Sequence, residues 1–232
     1  MTYKRVLIKL SGEALGGQWE HGICPNTIDN IATQIVKVHN DGVQVAIVVG
    51  GGNFWRGRQG QKMDRVTADQ MGMLATLMNS LALQDCIESK GVAVRVQSAL
   101  AVPSVAEHVV LRKAKQHFSE GRIVIFACGT GHPYFSTDTG AALRAAEIGA
   151  DALLMAKSID GVYDSDPKKN KNAKKYDNIS YLDIVNQGLE LMDVTAVTLC
   201  MVNKIKIIAF GLDIPDSIVK VASGQKIGTL VS

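Results

Sequence analysis

The chain has 232 residues and a formal net charge of +3. Its hydrophobic content of 47% is typical of a globular protein. This length is enough for one large domain or two small ones, and the small net charge argues against a dedicated nucleic-acid-binding protein. No apolar run approaches the ~20 residues of a membrane span, and the N-terminus lacks the apolar region of a signal peptide. We therefore expect a cytoplasmic protein without membrane contact.

Buried strands and amphipathic helices alternate along the chain. The strands are continuous apolar runs, typical of parallel strands covered on both faces, and the helices carry apolar residues at three- and four-residue spacing. In chain order we predict strands at 5–10, 43–49, 92–96, 123–127, 152–156, 205–210 and 228–231, with helices at 25–40, 64–90, 105–120, 139–148 and around Leu182 and Val194. This order predicts an α/β fold in which helices cover both faces of a mostly parallel sheet.

Glycine-rich or cationic turns follow three of the predicted strands, at residues 9–12, 50–56 and 129–137. Because the C-terminal ends of parallel strands meet at one edge of a sheet, the three turns should converge on one crevice. Glycine lets backbone N–H groups approach a phosphate, and Lys9 and Arg56 add positive charge. Each turn alone could be a simple strand-to-helix connection, but together they predict a ligand with several phosphates.

Other phosphate and metal sites are not predicted. The sequence contains no GxxxxGK[ST] motif and no GxGxxG after a strand, which excludes a P-loop enzyme and weakens a dinucleotide-binding interpretation. The four cysteines and five histidines show no metal-ligand spacing, so neither a disulfide framework nor a protein-bound zinc is expected. Thr137 or Asp138 could serve only as the N-cap of the following helix, although a helix N-terminus is itself an anion site.

Segments along the whole chain resemble the bacterial uridylate kinases. They are KLSGEAL at 9–15, GGGNFWRG at 50–57, ADQMGMLATLMN at 68–79, TGHPYFSTD at 130–138, DGVYDSDP at 160–167, the pair Met192 and Asp193, and IGTLV at 227–231. The resemblance implies the amino-acid kinase fold, a three-layer αβα sandwich. It also implies a single domain over 1–232, with the acceptor part at roughly 1–150 and an ATP-facing lobe at roughly 151–232.

The same resemblance implies an activity. Members of this family transfer the γ-phosphoryl group of ATP to UMP with Mg²⁺, giving UDP for pyrimidine nucleotide biosynthesis. They are homohexamers, and many are activated by GTP and inhibited by UTP. The resemblance therefore implies ATP and magnesium as cofactors, UMP as acceptor, and GTP and UTP as effectors.

Individual residues are assigned by matching these motifs. The implied catalytic residues are Lys9, Arg56 and Asp138. The implied ATP contacts are Lys9, Leu10, Ser11, Gly12, Gly52, Arg56, Lys157, Tyr163 and Asp166. The implied UMP contacts are Gly51, Asp69, Thr130, Gly131, His132, Pro133, Tyr134, Phe135, Ser136 and Thr137. A loop linked to GTP activation corresponds to Gly17, Gln18, Trp19, Glu20, His21 and Gly22. Asp138 and Asp193 match acidic positions near magnesium, which they would contact through water rather than as direct ligands.

Two alternatives remain open on the residues. A kinase of the same fold could act on a carboxylate or a carbamate, although such an acceptor would need neither Asp69 for a ribose nor the stretch at 130–138. A nucleic-acid-binding regulator could use the basic segment at 168–175, for which a solvated loop is the simpler interpretation.

The predicted helix at 64–90 is apolar around more of its circumference than packing on one side requires. Its apolar residues, which cover roughly 200°, are Met71, Met73, Leu74, Ala75, Leu77, Met78, Leu81 and Ala82. Either this helix is deeply buried in its own subunit, or it packs against the matching helix of another subunit. We expect the second arrangement, and hence a homo-oligomer.

We predict that Arg56→Ala abolishes turnover and leaves the fold intact, because Arg56 follows the glycine turn and would neutralise phosphate charge rather than fill a core. Removing such a cation should raise the activation barrier by about 3 kcal/mol or more. The measurements are kcat and the thermal unfolding midpoint. A kcat near the wild-type value would exclude the phosphate role, and a collapsed melting temperature would make Arg56 a structural residue.

Overall fold

The computed structural model describes residues 2–19, 21–55, 63–189 and 191–232. Its strands are β1 Arg5–Leu10, β2 Gln44–Val49, β3 Val94–Ser98, β4 Glu107–His108, β5 Ile123–Ala127, β6 Ala152–Lys157, β7 Val162–Tyr163, β8 Lys175–Tyr176, β9 Asn178–Ile179, β10 Lys206–Gly211 and β11 Thr229–Val231. Its helices are α1 Gly12–Gly16, α2 Pro25–Asn40, α3 Arg65–Glu88, α4 Leu111–Ser119, α5 Thr137–Ile148, α6 Tyr181–Gln187, α7 Val194–Val202 and α8 Ser217–Ala222. Two residues assigned from sequence, Arg56 and Glu20, lie outside the described ranges.

The central sheet has nine strands in the order β4-β3-β5-β2-β1-β6-β10-β11-β9. Its neighbouring strands run parallel except β10 and β11, which pair antiparallel. Strands β7 and β8 form a separate antiparallel hairpin. The prediction of a mostly parallel sheet is therefore confirmed.

Helices cover both faces of this sheet, as the alternation of β1 illustrates. Ile8 and Leu10 point into a core shared with α2, α3 and α8, whereas Leu7 points into a second core shared with α4, α5, α6 and α7. Side chains of a strand alternate between faces, so a strand buried on both faces must be apolar throughout. This arrangement confirms the three-layer αβα fold.

The sequence located most elements, with a few corrections. The helix predicted at 105–120 begins only at Leu111, because Glu107 and His108 pair with β3 as an extra strand. The carboxylate of Glu107 also accepts a hydrogen bond from Nε2 of Gln97 in β3 at 3.1 Å. The short elements α1, α8, β9 and the β7–β8 hairpin were not predicted. Among the described residues, no helix has both the length and the apolar character that crossing a bilayer requires.

Candidate active site

Lys9 is the cation at the centre of the candidate site. It lies near the end of β1, and strand alternation places it on the same face as Leu7, towards α5. There its Nζ lies 2.6 Å from Oδ1 of Asp138, in the first turn of α5, and the two side chains are only 10% and 18% exposed. The pair holds the ammonium group of Lys9 at the C-terminal edge of the sheet, where a phosphate would have to be neutralised.

The two glycine turns beside Lys9 contact each other too closely to accommodate side chains. A Cβ on Gly12 would clash with the backbone nitrogen of Gly52 and lie 2.6 Å from Oδ1 of Asn53. A Cβ on Gly51 would lie 2.8 Å from Cβ of Ala75 in α3. Glycine is therefore required at these positions by packing, and the resulting bare backbone can approach an anion.

These groups surround a cavity of about 230 Å³. It is lined by Lys9, Ser11, Gly12, Glu13, Gly50, Gly51, Gly52, Ser136, Thr137 and Asp138. The N-terminus of α5 opens into it, with Ser136 as the N-cap that accepts a hydrogen bond from the amide of Thr139 at 3.1 Å. Free N–H groups and the helix dipole favour negative charge at such an end, so the cavity is suited to phosphate groups. We call it the phosphate cavity.

A second cavity of about 190 Å³ adjoins the first and shares four lining residues with it. Its walls are α3 and the loop at 128–137, and it is lined by Gly51, Gly52, Trp55, Ala68, Asp69, Gly72, Met73, Thr76, Cys128, Gly129, Thr130, His132, Phe135, Ser136 and Thr137. The indole Nε1 of Trp55 donates to the carbonyl of Ala68 at 2.9 Å, which fixes the ring at the cavity wall. We call this space the acceptor cavity.

The loop at 128–137 is fastened to α3 at its beginning. The backbone N–H of Cys128 donates to Oγ1 of Thr76 at 2.8 Å, and that hydroxyl donates to the carbonyl of Met73 at 2.7 Å. Cys128 has a φ of 64°, an uncommon conformation for a residue with a side chain. Burial raises the pKa of the Cys128 thiol, so the group stays neutral and acts as a small packing residue.

The same loop is fastened again near its middle, through Asp69. Oδ2 of Asp69 accepts from the backbone N–H of Tyr134 and from Nε of Arg65, both at 2.8 Å. The guanidinium of Arg65 also lies over the Tyr134 ring, 5.4 Å from its centre. Tyr134 has a φ of 71°, so these contacts hold a strained backbone in place. We call this group of three residues the Asp69 latch.

A third cavity of about 400 Å³ lies beside the β7–β8 hairpin. It is lined by Lys157, Ser158, Ile159, Gly161, Val162, Tyr163, Asp164, Ser165, Asp166, Pro167, Lys169, Gln187, Gly188, Leu189 and Leu191. Asp160 supports the hairpin by accepting from the hydroxyl of Tyr163 at 2.7 Å and from Nζ of Lys175 at 2.8 Å. Burial acts to raise the pKa of Asp160, but these two hydrogen bonds outweigh it and hold the pKa below its usual value.

A larger and more open space of about 1110 Å³ connects the region of Lys9 with the β10–α8 loop. Gly17 and Lys157 both line it, so it extends from the loop at 17–22 to the mouth of the hairpin cavity. Within that loop, Trp19 is half exposed and Gly22 hydrogen-bonds the backbone of Asn53.

The structure brings together most of the residues assigned from sequence. Lys9, Ser11, Gly12 and Asp138 line the phosphate cavity, while Gly51, Gly52, Ser136 and Thr137 line both it and the acceptor cavity. Asp69, Thr130, His132 and Phe135 line the acceptor cavity alone, and Lys157, Tyr163 and Asp166 line the hairpin cavity.

Four assigned residues differ from this pattern. The side chain of Leu10 is buried in the core, so only its backbone could meet a ligand. Gly131, Pro133 and Tyr134 do not line the acceptor cavity; Gly131 lies against Ala99, and Tyr134 belongs to the Asp69 latch.

Asp193 has its carboxylate engaged by protein donors. It accepts from the hydroxyls of Ser136 and Thr139, the latter at 2.9 Å, and it caps α7 by accepting from the amide of Ala196 at 3.0 Å. Asp193 therefore fastens the beginning of α7 to the beginning of α5. Within the described ranges no group of three or more His, Cys, Asp or Glu side chains could hold a metal ion.

Sequence reasoning assigned no role to Trp55, Thr76 or Arg65. Trp55 follows directly after the glycine turn, which was a usable signal for a cavity wall. Thr76 and Arg65 act through contacts between distant segments, and no local pattern marks such contacts.

The chain matches the amino acid kinase family over residues 4–210. It is similar to the crystal structure of UMP kinase from Bacillus anthracis, with 39% identity, a TM-score of 0.97 and coverage of 100% of this chain and 97% of that one. It is also similar to UMP kinase from Ureaplasma parvum, with 40% identity, a TM-score of 0.94 and full coverage of both chains. It is similar, too, to uridylate kinase from Archaeoglobus fulgidus, with 30% identity, a TM-score of 0.75 and coverage of 98% of this chain and 99% of that one.

We predict that Arg65→Ala loosens the Asp69 latch without unfolding the protein. An exposed ion pair and a cation–π contact each contribute about 0.5–1 kcal/mol, so the amide of Tyr134 should exchange with deuterium roughly five- to thirtyfold faster. Arg65→Lys should fall in between, since it keeps the charge but loses the planar group. Lys37→Ala, which removes an exposed ion pair with Asp41 far from the loop, is the control. Unchanged exchange at Tyr134 would show that Asp69 alone holds the loop.

Proposed function

The chain belongs to the amino acid kinase family and, within it, to the UMP kinases, and we propose that it transfers the γ-phosphoryl group of ATP to UMP, giving UDP and ADP. The observation that carries this function is the meeting of two cavities at one anion-binding turn. The acceptor cavity and the phosphate cavity share Gly51, Gly52, Ser136 and Thr137, so groups bound in each would meet beside Lys9.

The acceptor cavity fits a pyrimidine nucleoside with its phosphate directed towards Lys9. Among the residues that the structure describes, the hydrogen bonds to Asp69 end on its Oδ2, so Oδ1 is available to accept a ribose hydroxyl. Trp55 and Phe135 supply aromatic surface for a base in this cavity of about 190 Å³. Thr130, His132, Ser136 and Thr137 supply polar groups for the ring and the phosphate.

The hairpin cavity fits the nucleoside of ATP, with the phosphates extending to Lys9, Ser11, Gly12 and Gly52. Tyr163 and Asp166 would meet the adenine and ribose, and Lys157 lies between this cavity and the open space leading to Lys9. This placement supports a division into an acceptor part at roughly 1–150 and an ATP-facing part at roughly 151–232.

Catalysis would depend on positioning and charge neutralisation, as in phosphoryl transfer generally. The acceptor phosphate has a second pKa of about 6 and is largely ionised at neutral pH, so no general base is needed. Lys9 would neutralise charge on the transferring group, and Asp138 would hold Lys9 in place. Arg56 would add a second cation from the glycine turn.

Magnesium fits this site as an ion held mainly by the nucleotide. Asp138 lines the phosphate cavity, whereas the Asp193 oxygens are occupied by Ser136, Thr139 and Ala196. Mg²⁺ commonly binds through one carboxylate, several waters and substrate phosphates, so Asp138 is the residue that would hold it, through water. Bound there, the ion would neutralise negative charge on the phosphates of ATP.

We also propose the wider properties that the resemblance implies: a cytoplasmic enzyme of pyrimidine nucleotide biosynthesis, activated by GTP and inhibited by UTP. The position of the loop at 17–22 supports an effector role, since Gly22 exchanges two hydrogen bonds with Asn53 next to the glycine turn. Initial rates of UDP formation with and without each nucleotide would test both effects.

A kinase acting on a carboxylate or carbamate is the competing function. ADP release measured with UMP, aspartate, acetylglutamate and carbamate decides between them. The observation that favours UMP is that Asp69 lines the same cavity as the aromatic residues Trp55 and Phe135, a combination that a small acid does not require.

We predict strong preference for UMP over CMP, AMP and GMP. We expect a pyrimidine-sized site, which would exclude purines by size, whereas UMP and CMP differ in their hydrogen-bonding groups at N3 and C4. A site that pairs with those atoms leaves buried groups unpaired when the wrong base enters, and such sites discriminate by factors of ~10⁴. The measurement is kcat/KM for all four monophosphates at fixed MgATP. Comparable values for UMP and CMP would indicate a general pyrimidine kinase.

We predict a homo-oligomer, a homohexamer by the resemblance, in which α3 packs against α3 of another subunit. Met71, Leu74 and Met78 form an apolar stripe along α3 and are 36%, 48% and 51% exposed in the isolated chain. Burying such a stripe stabilises association by the hydrophobic effect. The double variant Leu74→Glu, Met78→Glu should sediment as a smaller species than the wild type. Val202→Glu, at an exposed apolar position on α7, is the control. A wild-type monomer at micromolar concentration would refute the interface.

A further inference from the structure

Two asparagine side chains form a buried amide pair directly beneath the glycine turn. Asn53 is 2% exposed and Asn79, from the middle of α3, is fully buried. Nδ2 of Asn53 donates to Oδ1 of Asn79 at 3.0 Å, and Nδ2 of Asn79 donates to Oδ1 of Asn53 at 2.7 Å. The two primary amides thus close a ring of two hydrogen bonds inside the protein.

The second N–H of each amide leaves the pair and donates to a different backbone segment. Asn79 donates to the carbonyl of Gly50 at 2.7 Å, and Asn53 donates to the carbonyl of Gly22 at 2.7 Å. All four side-chain donors are therefore used, and rotating either amide by 180° would bring an oxygen against a carbonyl oxygen. The pair can adopt only one orientation.

This pair connects three segments that are distant in sequence. Its contacts reach the loop ending at Gly22, the turn at Gly50 and helix α3, and the N–H of Gly22 also donates to the carbonyl of Asn53 at 3.0 Å. A Cβ on Gly12 would lie 2.6 Å from Oδ1 of Asn53, so the same amide lies directly against the turn that follows β1. Both turns that line the phosphate cavity therefore lie against this amide pair.

We infer that Asn53 and Asn79 are positioning residues for phosphoryl transfer, which fix the backbone of the glycine turn against Gly12. This inference rests on the proposed function. Neither side chain lines the phosphate or acceptor cavity, so neither touches a substrate. Their effect is on the geometry of Gly50–Gly52, and a displacement of about 1 Å in such a turn lowers turnover by ~10²-fold.

The test compares Asn79→Ala with Ser80→Ala. Ser80 is the next residue of α3, is fully buried, and also loses a hydrogen bond, from its Oγ to the carbonyl of Thr76 at 2.8 Å. Both variants lose a buried hydrogen-bonding group, but only Asn79 contacts the glycine turn. We expect kcat to fall roughly 10- to 100-fold in Asn79→Ala, with KM for UMP within threefold, and to stay within twofold in Ser80→Ala.

Two further comparisons separate positioning from simple destabilisation. Asn53→Ala should lower kcat by a similar factor, and the double variant should be no slower than the slower single variant, because both changes break one unit. Asn79→Leu keeps a similar volume but has no group that can donate to Gly50, so it should behave like Asn79→Ala. Should Asn79→Ala not fold, Asn79→Leu replaces it in the comparison. Equal kcat in the Asn79 and Ser80 variants, additive losses in the double variant, or failure of both Asn79 variants to fold would overturn the inference.

Failure of the proposed function is recognised separately, from the wild type alone. If the wild-type protein does not phosphorylate UMP, the function is wrong and the positioning role is judged by binding instead. Calorimetry with the magnesium complex of a non-hydrolysable ATP analogue should then show at least tenfold weaker binding to Asn79→Ala than to Ser80→Ala. Equal affinities would refute the role of the pair in that case.

Discussion

The close contact between the turns after β1 and β2 is the constraint on which the site depends. Gly12 and Gly52 meet with no room for a Cβ, and Gly51 meets α3 in the same way. Two parallel strands end side by side, so their following turns must share one small volume, and only bare backbone fits there. The same lack of side chains exposes the N–H groups that an anion requires.

Charge is added to this backbone from the other face of the sheet. Lys9 reaches it because alternation along β1 turns that side chain towards α5, whose first turn carries Asp138. The N-terminus of α5, capped by Ser136, adds its own positive potential. The end of β1, the contact between the glycine turns and the start of α5 thus all contribute to a single cavity. Asp193 connects the start of α5 to α7 through its hydrogen bonds with Ser136 and Thr139.

Much of this arrangement could be predicted from the sequence, for reasons that differ between elements. The apolar runs of β1, β2, β5 and β6 indicated a buried parallel sheet, and its C-terminal edge then located the site. The helix predicted at 105–120 was started too early because the apolar residues at its beginning suit a helix, whereas the pairing of Glu107 and His108 with β3 depends on a contact that no local pattern reveals.

The contacts that hold the turns and loops of the site in place could not be predicted, for the same reason. Asn79 lies in the middle of a helix, where an asparagine usually faces water, and its buried partner is 26 residues away in the chain. Arg65 appears in the sequence as an ordinary charged residue at a helix start, yet it fastens a loop that follows β5. Motifs identify groups that meet ligands, whereas the groups that hold those motifs in place depend on the tertiary structure.

The position of Trp55 makes the acceptor cavity accessible to fluorescence spectroscopy. The chain has only two tryptophans, and the other, Trp19, is half exposed on a loop. With Trp19 replaced by phenylalanine, the indole emission of the protein would come from a single ring at the cavity wall, anchored through its hydrogen bond to Ala68. A nucleobase stacked near that ring would quench it, so occupancy could be followed in rapid-mixing experiments without a coupled enzyme or a labelled nucleotide.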